Sequence, residues 1–169
     1  MKPAHQSTAA DASRFCDGEA YPRPQLRRTH WQSLDGPWRF AFDDEKRYSH
    51  PREIEQWPIR IEVPYPIESK ASGIGDRGFH KACWYQREFD VEATGASRVI
   101  LHFGAVDYFA KVWVNGHFVT SHEGGHTPFQ CDITDVLNPS GPQVVSVYVE
   151  DDPQEVNKPR GKQDWQQEA

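Results

Sequence analysis

The stretch "AKVWVNGHFVT", residues 110–120, decides the fold of this 169-residue chain. Asn115 and Gly116 are the residue types that a type I′ turn requires at its two positive-φ positions, and that turn is the commonest tight connection of a β-hairpin. The turn also fixes the register of the two strands. The predicted cross-strand pairs are Val114 with His117, Trp113 with Phe118, and Val112 with Val119. Because both faces of this hairpin carry apolar residues, we expect both of its strands to be covered on both sides.

Further runs with a period of two residues lie on either side of the hairpin. They are "PWRFAFD" (37–43), "WPIRIEVP" (57–64), "WYQREFDV" (84–91), "RVILHFG" (98–104) and "QVVSVYVE" (143–150). No run has the 3.6-residue period of an amphipathic helix. About eight strands at this spacing predict an all-β fold, a β-sandwich of jelly-roll type. The strand positions of Trp38, Trp84 and Trp113 place these rings in its core.

Composition and charge exclude several classes of protein. Aromatic residues make up 12% of the chain, and 13 Pro and 12 Gly interrupt it often, as in turn-rich β proteins. The formal net charge of −6 disfavours a nucleic-acid partner, which needs concentrated positive charge. No apolar run approaches the roughly 18 residues of a membrane-spanning helix, and the N-terminus has no apolar signal-peptide core.

Cysteine usage and chain organisation give two further expectations. Cys16, Cys83 and Cys131 are odd in number and far apart in sequence. They therefore indicate reduced thiols and a cytoplasmic location rather than a disulfide framework. Residues 1–20 are small and polar and predict a mobile tail, and residues 21–169 predict one domain.

The motif "HEGGH", residues 122–126, matches the H-E-x-x-H pattern of zinc proteases. That chemistry needs both histidines on one face of a helix. Gly124 and Gly125 are poor helix formers, and the segment follows a predicted β-hairpin. We therefore interpret the motif as a glycine-rich connection between strands and expect no metal there.

Several polar residues and one aromatic residue are candidates for a functional site. The carboxylates that qualify by residue type are Glu68, Asp76, Asp107, Asp132, Asp151 and Asp152. Turn caps and solvated faces explain most such residues, and Asp107 and Asp132 stand at strand boundaries where carboxylates accept backbone N–H bonds. Trp165 lies in a polar segment without periodicity, so core packing explains it less well than stacking on a sugar ring does.

Six segments in order give a resemblance to a known family. They are "SLDGPWRFAFD", "VPYPIES", "WYQREF", "FGAVDYFAKVWVNG", "HEGGHTPFQCDIT" and "PRGKQDW". Their order and spacing, from Tyr21 to Trp165, resemble the N-terminal sugar-binding domain of glycoside hydrolase family 2, which includes β-galactosidases, β-glucuronidases and β-mannosidases. The resemblance implies a jelly-roll domain packed beside an immunoglobulin-like domain and a catalytic (β/α)8 barrel. In the family the barrel supplies two glutamates for a retaining mechanism, which requires carboxyl groups about 5 Å apart.

The same resemblance implies a non-catalytic role for this chain. It contains no counterpart of the two barrel glutamates, so it should be inactive alone, and no cofactor is expected. We expect the chain to stop within a loop that reaches the mouth of the barrel, before the last jelly-roll strand. An unpaired sheet edge would then favour dimer contacts, so a homo-oligomer is compatible with this expectation. The implied partners are the two other domains and a β-linked sugar, with neither nucleic acid nor membrane.

The resemblance adds three candidate substrate-binding residues to Trp165. In the family an aspartate of the last loop contacts the sugar, in some members through a sodium ion, and "KQDW" places Asp164 at that position, beside Trp165. Asp76 is the polar candidate of the loop after the "VP" strand. Arg160 either binds an acidic sugar or pairs with a neighbouring carboxylate.

Two other functions remain as alternatives. One is a stand-alone carbohydrate-binding module, and the other is a protein-interaction β-sandwich without a sugar role.

Overall fold

The computed structural model of the chain describes residues 30–91, 98–152 and 158. The chain divides into two compact units, residues 1–34 and 35–169. Of the first unit only residues 30–34 are described, so the tail predicted over residues 1–20 lies outside the described residues. Everything that follows concerns the second unit.

The described part of the second unit is built from β-strands and three short 3₁₀ turns. The strands are β1 (Gly36–Phe42), β2 (Ile59–Val63), β3 (Ala82–Phe89), β4 (Ile100–Phe103), β5 (Phe109–Val114), β6 (His117–Glu123), β7 (Phe129–Asp132) and β8 (Gln143–Glu150). The 3₁₀ turns are Pro51–Glu53, Lys70–Ser72 and Thr134–Val136. Over the described ranges there is no α-helix, and no helix there is long and apolar enough to cross a membrane. The all-β prediction with about eight strands is confirmed.

The strands form two antiparallel sheets that give the jelly-roll sandwich. Six strands are ordered β2-β1-β3-β8-β5-β6, and β4 pairs with β7. One face of the large sheet carries side chains that are almost fully buried, among them Phe40, Val112, Val114, Val145 and Val147. The small sheet buries Leu101 and Cys131. Burial of this apolar surface is the main stabilising contribution to the fold.

The hairpin confirms the predicted turn and corrects the predicted register. Asn115 and Gly116 have φ values of 53° and 79°, as a type I′ turn requires. Trp113 faces Phe118 and Val114 faces His117, as predicted, but Val112 faces Thr120 instead of Val119. The register shifts by one residue at this point, so β6 carries a β-bulge.

The expectation that both hairpin strands are covered was wrong for β6. Strand β5 lies between β8 and β6 and is largely buried, whereas β6 is the last strand of its sheet within the described residues. The burial pattern of β6 is mostly exposed or half-buried, and Phe118 is 56% exposed. The apolar residues of β6 therefore do not face a second layer in the way that those of β5 do.

The other face of the large sheet carries an aromatic cluster. Trp84, Trp113 and Tyr148 lie on neighbouring strands, with Trp84 ring centroids 5.2 Å from Trp113 and 5.0 Å from Tyr148. The buried carboxylate of Asp43 accepts a hydrogen bond from the Trp84 indole N–H at 3.1 Å. The core positions predicted for Trp38, Trp84 and Trp113 are confirmed, since these residues are 7%, 1% and 5% exposed.

Cys83 and Cys131 are free thiols and both are buried. Burial raises the pKa of the Cys83 thiol to about 12 and that of Cys131 to about 11. Both are therefore protonated near neutral pH and poor nucleophiles. Cys16 lies outside the described residues.

Candidate functional site

One end of the large sheet collects the loops that carry the polar candidates. Ala82 at the start of β3 and Phe109 at the start of β5 both pair with Glu150, the last residue of β8. The segments that enter β3 and β5 and the segment that leaves β8 therefore meet at this end. We call the residues 44, 76, 80, 81, 107, 126, 151, 152 and 158 the loop cluster.

The loop between β2 and β3 is joined to the loop after β1 through a histidine. His80 Nδ1 lies 2.9 Å from Asp44 Oδ2, and its ring stacks on Phe42 with centroids 3.8 Å apart. His80 Nε2 is buried and lies 3.5 Å from Asp76 Oδ2, which is an ion-pair distance but too long for a good hydrogen bond. Asp76 itself accepts a 2.8 Å hydrogen bond from the backbone N–H of Gly78. This bond, and the smaller effect of His80, lower the pKa of Asp76 against the opposing effect of burial.

Lys81 continues this network to the end of β8. Its backbone N–H donates to Asp44 Oδ1 at 2.7 Å, and its carbonyl accepts the N–H of Asp151 at 2.9 Å. Its ammonium lies 3.2 Å from Asp152 Oδ2. Lys158, on the segment after β8, lies 3.4 Å from Asp151 Oδ1 and 5.1 Å from the centroid of the Tyr108 ring. Backbone bonds and ion pairs thus tie three separate loops together.

The glycines of "HEGGH" have a structural explanation. The motif comprises the end of β6 and a turn rather than a helix, which confirms the connection predicted from the sequence. Gly124 has a φ of 131°, and its N–H donates to the Tyr108 carbonyl at 2.9 Å. At Gly125 a Cβ atom would overlap the carboxylate of Asp107, so a larger residue would have to displace that side chain.

Asp107 has the most unusual electrostatic surroundings of the loop cluster. Partial burial, and then the nearby negative charge of Asp151, raise the pKa of Asp107, while His126 and Lys158 act in the opposite direction. A carboxyl group with a raised pKa beside other carboxylates is frequent at functional sites. Here the exposed oxygens of these groups are suited to accept hydrogen bonds from the hydroxyls of a polar ligand.

The structure brings only some of the predicted residues together. Asp76, Asp107, Asp151 and Asp152 belong to the loop cluster. Asp132 does not: it accepts bonds from Thr134 and Arg98 at the end of β7, which is the predicted role of a turn cap. Arg160, Asp164 and Trp165 lie outside the described residues.

Sequence reasoning missed four residues of the loop cluster, Lys158 and the three that join the loops after β1 and before β3. Asp44, His80 and Lys81 were not proposed as candidates, and His80 lies 36 residues from Asp44, so no local pattern connects them. Over the described ranges no group of three or more His, Cys, Asp or Glu side chains is arranged to hold a metal ion.

Comparisons with known proteins agree on one family. The family model described as "Glycosyl hydrolases family 2, sugar binding domain" matches residues 49–156. The β-glucuronidase of Canis lupus familiaris is 36% identical over 138 residues, which cover 74% of this chain and 21% of that protein. The β-glucuronidase of Paenibacillus borealis is 33% identical over 134 residues, covering 76% and 22%.

Solved structures give the same result. The β-glucuronidase of Ruminococcus gnavus in complex with a C6-substituted uronic isofagomine matches with a TM-score of 0.61 and 33% identity, covering 70% of this chain and 21% of that one. The β-glucuronidase of Faecalibacterium prausnitzii matches with a TM-score of 0.57 and 34% identity, covering 70% and 20%. The chain thus spans about a fifth of the length of the relatives it matches.

Proposed function

Because this chain belongs to glycosyl hydrolase family 2 as its N-terminal sugar-binding domain, we propose that it serves a retaining β-glycosidase of the β-glucuronidase type. In this proposal the chain performs no bond cleavage. It packs against an immunoglobulin-like domain and a (β/α)8 barrel, and its loops contribute side chains to the sugar pocket. The observation that carries the proposal is the set of matches to β-glucuronidases at 33–36% identity over about three quarters of the chain.

The loop cluster supports a position beside the barrel. Its carboxylates and ammonium groups stand at the end of the sheet from which residues 159–165 continue, and those residues include Arg160, Asp164 and Trp165. A guanidinium forms paired hydrogen bonds with a carboxylate. For a glucuronide substrate, the binding of the acidic sugar is therefore the role that we propose for Arg160, while Asp164 accepts a sugar hydroxyl and Trp165 stacks on the ring.

Two buried thiols and one edge strand bear on the location and the assembly of the protein. The free, buried thiols of Cys83 and Cys131 are compatible with a reducing compartment, and we propose a cytoplasmic enzyme. Within the described residues β6 is the edge strand of its sheet, and we propose that a further strand or a second copy of the chain pairs with it.

Titration of the chain alone separates this proposal from a stand-alone module. Glucuronate, galactose and mannose are added in turn, and the backbone amide of Asp164 and the indole N–H of Trp165 are followed by NMR. A domain that needs the barrel to complete its pocket shows no saturable shift of these two signals up to about 30 mM sugar, which corresponds to a binding free energy weaker than about −2 kcal/mol. Saturable shifts confined to that loop would instead establish a module that binds sugar unaided.

A further inference from the structure

A cleft lies on the aromatic face of the large sheet, at the end of the sheet that also carries the loop cluster. It has a volume of about 270 Å³, slightly below the range of about 300–1,000 Å³ that drug-sized ligands occupy. Trp84, Trp113 and Tyr148 form its floor. Its rim comprises Lys46, Tyr48, Ser49, Lys111 and Glu150. Such a cleft suits a ligand built on a single ring.

The charges around the cleft leave one cation without a carboxylate. Lys46 pairs with Glu150 at 2.7 Å, and the other oxygen of Glu150 accepts a 2.9 Å hydrogen bond from the Tyr148 hydroxyl. Burial alone would raise the pKa of Glu150, but the bonds from Lys46 and Tyr148 together lower it. Glu150 is therefore ionised and already satisfied by its two partners at neutral pH.

Lys111 carries the remaining charge on the rim of the cleft. Its ammonium lies 5.5 Å from the centroid of the Phe109 ring and 5.8 Å from that of Tyr148. In the part of the chain that the structure describes, Lys111 forms no ion pair. A cation held over aromatic rings is partly removed from water and gains less from those rings than from an anion in direct contact. Two lysines and one glutamate give the rim one net positive charge.

Strand pairing and the buried carboxylate of Asp43 fix the positions of the residues that line the cleft. Lys111 and Tyr148 are directly paired across β5 and β8, so the sheet fixes their spacing. The segment that carries Lys46 and Tyr48 is bound to the floor through Asp43, which accepts the Trp84 indole N–H and the backbone N–H groups of Arg47 and Tyr48. The cleft is therefore already formed in the free chain.

From these observations we propose that the cleft binds a small organic carboxylate with a single-ring body. The carboxylate contacts the Lys111 ammonium, and the ring covers the small exposed edges of Trp113 and Tyr148, which are 5% and 6% exposed, beside Tyr48. This inference rests on the geometry of the cleft and is independent of the function proposed for the loop cluster. A uronic acid and an aromatic acid share this chemistry, and the experiment distinguishes them.

The test is NMR titration of the chain with two acids and their neutral analogues. Glucuronate is compared with glucose, and benzoate with benzyl alcohol, while the indole N–H signals of Trp84 and Trp113 are followed. We expect one acid to give saturable shifts with a dissociation constant on the order of 1 mM, and its neutral analogue to bind at least about tenfold more weakly. The acid that binds shows whether the cleft takes a uronic acid or an aromatic acid. Absence of saturable shifts from both acids, or equal binding of the neutral analogues, would refute the proposal.

Two variants show whether the charge of Lys111 is responsible for binding the acid. Lys111→Met keeps the apolar stem of the side chain and removes its charge, and we expect a loss of affinity of about tenfold or more. Lys70→Met makes the same change of net charge at an exposed side chain that does not line the cleft, and it should bind as the unaltered chain does. Equal affinities in the two variants, both with unchanged melting temperatures, would contradict the assignment of Lys111.

Discussion

Replacement of Asp43 by alanine tests how the loop after β1 is held to the sheet. Asp43 is 1% exposed, and its carboxylate accepts three hydrogen bonds, from the Trp84 indole N–H at 3.1 Å and from the backbone N–H groups of Arg47 and Tyr48 at 2.8 and 3.2 Å. Hydrogen bonds to a charged group contribute about 1.5–3 kcal/mol each. The indole donor is buried and loses its partner outright. The two amides are only partly buried and regain water, which reduces their share.

The expected loss of unfolding free energy for Asp43→Ala is therefore about 3–4 kcal/mol. For a chain of this length this corresponds to a fall in melting temperature of about 10 °C. Urea unfolding followed by tryptophan fluorescence measures the loss directly. Glu45→Ala is the matched control, because Glu45 lies in the same turn with its side chain 78% exposed, and it should cost less than about 0.5 kcal/mol.

A double-mutant cycle separates the indole contribution. In a Trp84→Phe background the donor is already absent, so Asp43→Ala should cost about 1.5–3 kcal/mol less than in the unaltered chain. If Asp43→Ala costs no more than Glu45→Ala, or if the cycle gives no coupling, the carboxylate does not hold the loop in the way described.

Three other consequences can be checked. Gly125→Ala places a methyl group on a carboxylate and should destabilise the chain by about 1–3 kcal/mol in urea unfolding, whereas Gly104→Ala, with open space around it, should stay within about 1 kcal/mol of the unaltered chain. Bonds from Thr134 and then Arg98 lower the pKa of Asp132 to about 2. The stabilising effect of ionised Asp132 should therefore be complete above about pH 4 and lost as the pH falls towards 2. Carbon-detected NMR of the Thr134→Val variant should show a higher pKa for Asp132, and an unchanged pKa would contradict this. With its pKa raised to about 12, Cys83 should resist alkylation at pH 8 in the native chain and react rapidly in urea, as mapped by mass spectrometry; rapid native labelling would show that the thiol is not buried.

Local sequence signals predicted seven of the eight described strands, all except β7 (Phe129–Asp132), because the causes of those strands are local. The alternation in "QVVSVYVE" matches β8 over its full length, Gln143–Glu150, and the Asn115–Gly116 turn fixes the first two pairs of the hairpin. The bulge in β6 was not predictable in this way. Strand β5 is held on its other side by β8, whereas β6 has no further neighbour within the described residues, and an extra residue is accommodated most easily at such an edge.

The contacts of the candidate site depend on residues distant in sequence, so they were predicted least. Nothing in "FDDEKRY" indicates that Asp43 is buried against Trp84 while Asp44 faces His80 and Lys81. The segment "HEGGH" matches a metal-binding motif in sequence, and the reason for its glycine at position 125 is seen only when Asp107 is found against it. In both cases residue type is informative only after the partner strand has been positioned.

The central claim is that this chain lends loop residues to the sugar pocket of a β-glycosidase. The most direct test is the kcat/KM of the full-length enzyme that we propose carries this chain, measured on p-nitrophenyl β-D-glucuronide for the unaltered protein and for Asp164→Asn. Loss of a charged acceptor for a sugar hydroxyl, about 1.5–3 kcal/mol, predicts a fall of roughly 10- to 150-fold. A kcat/KM that is unchanged by Asp164→Asn would contradict the claim.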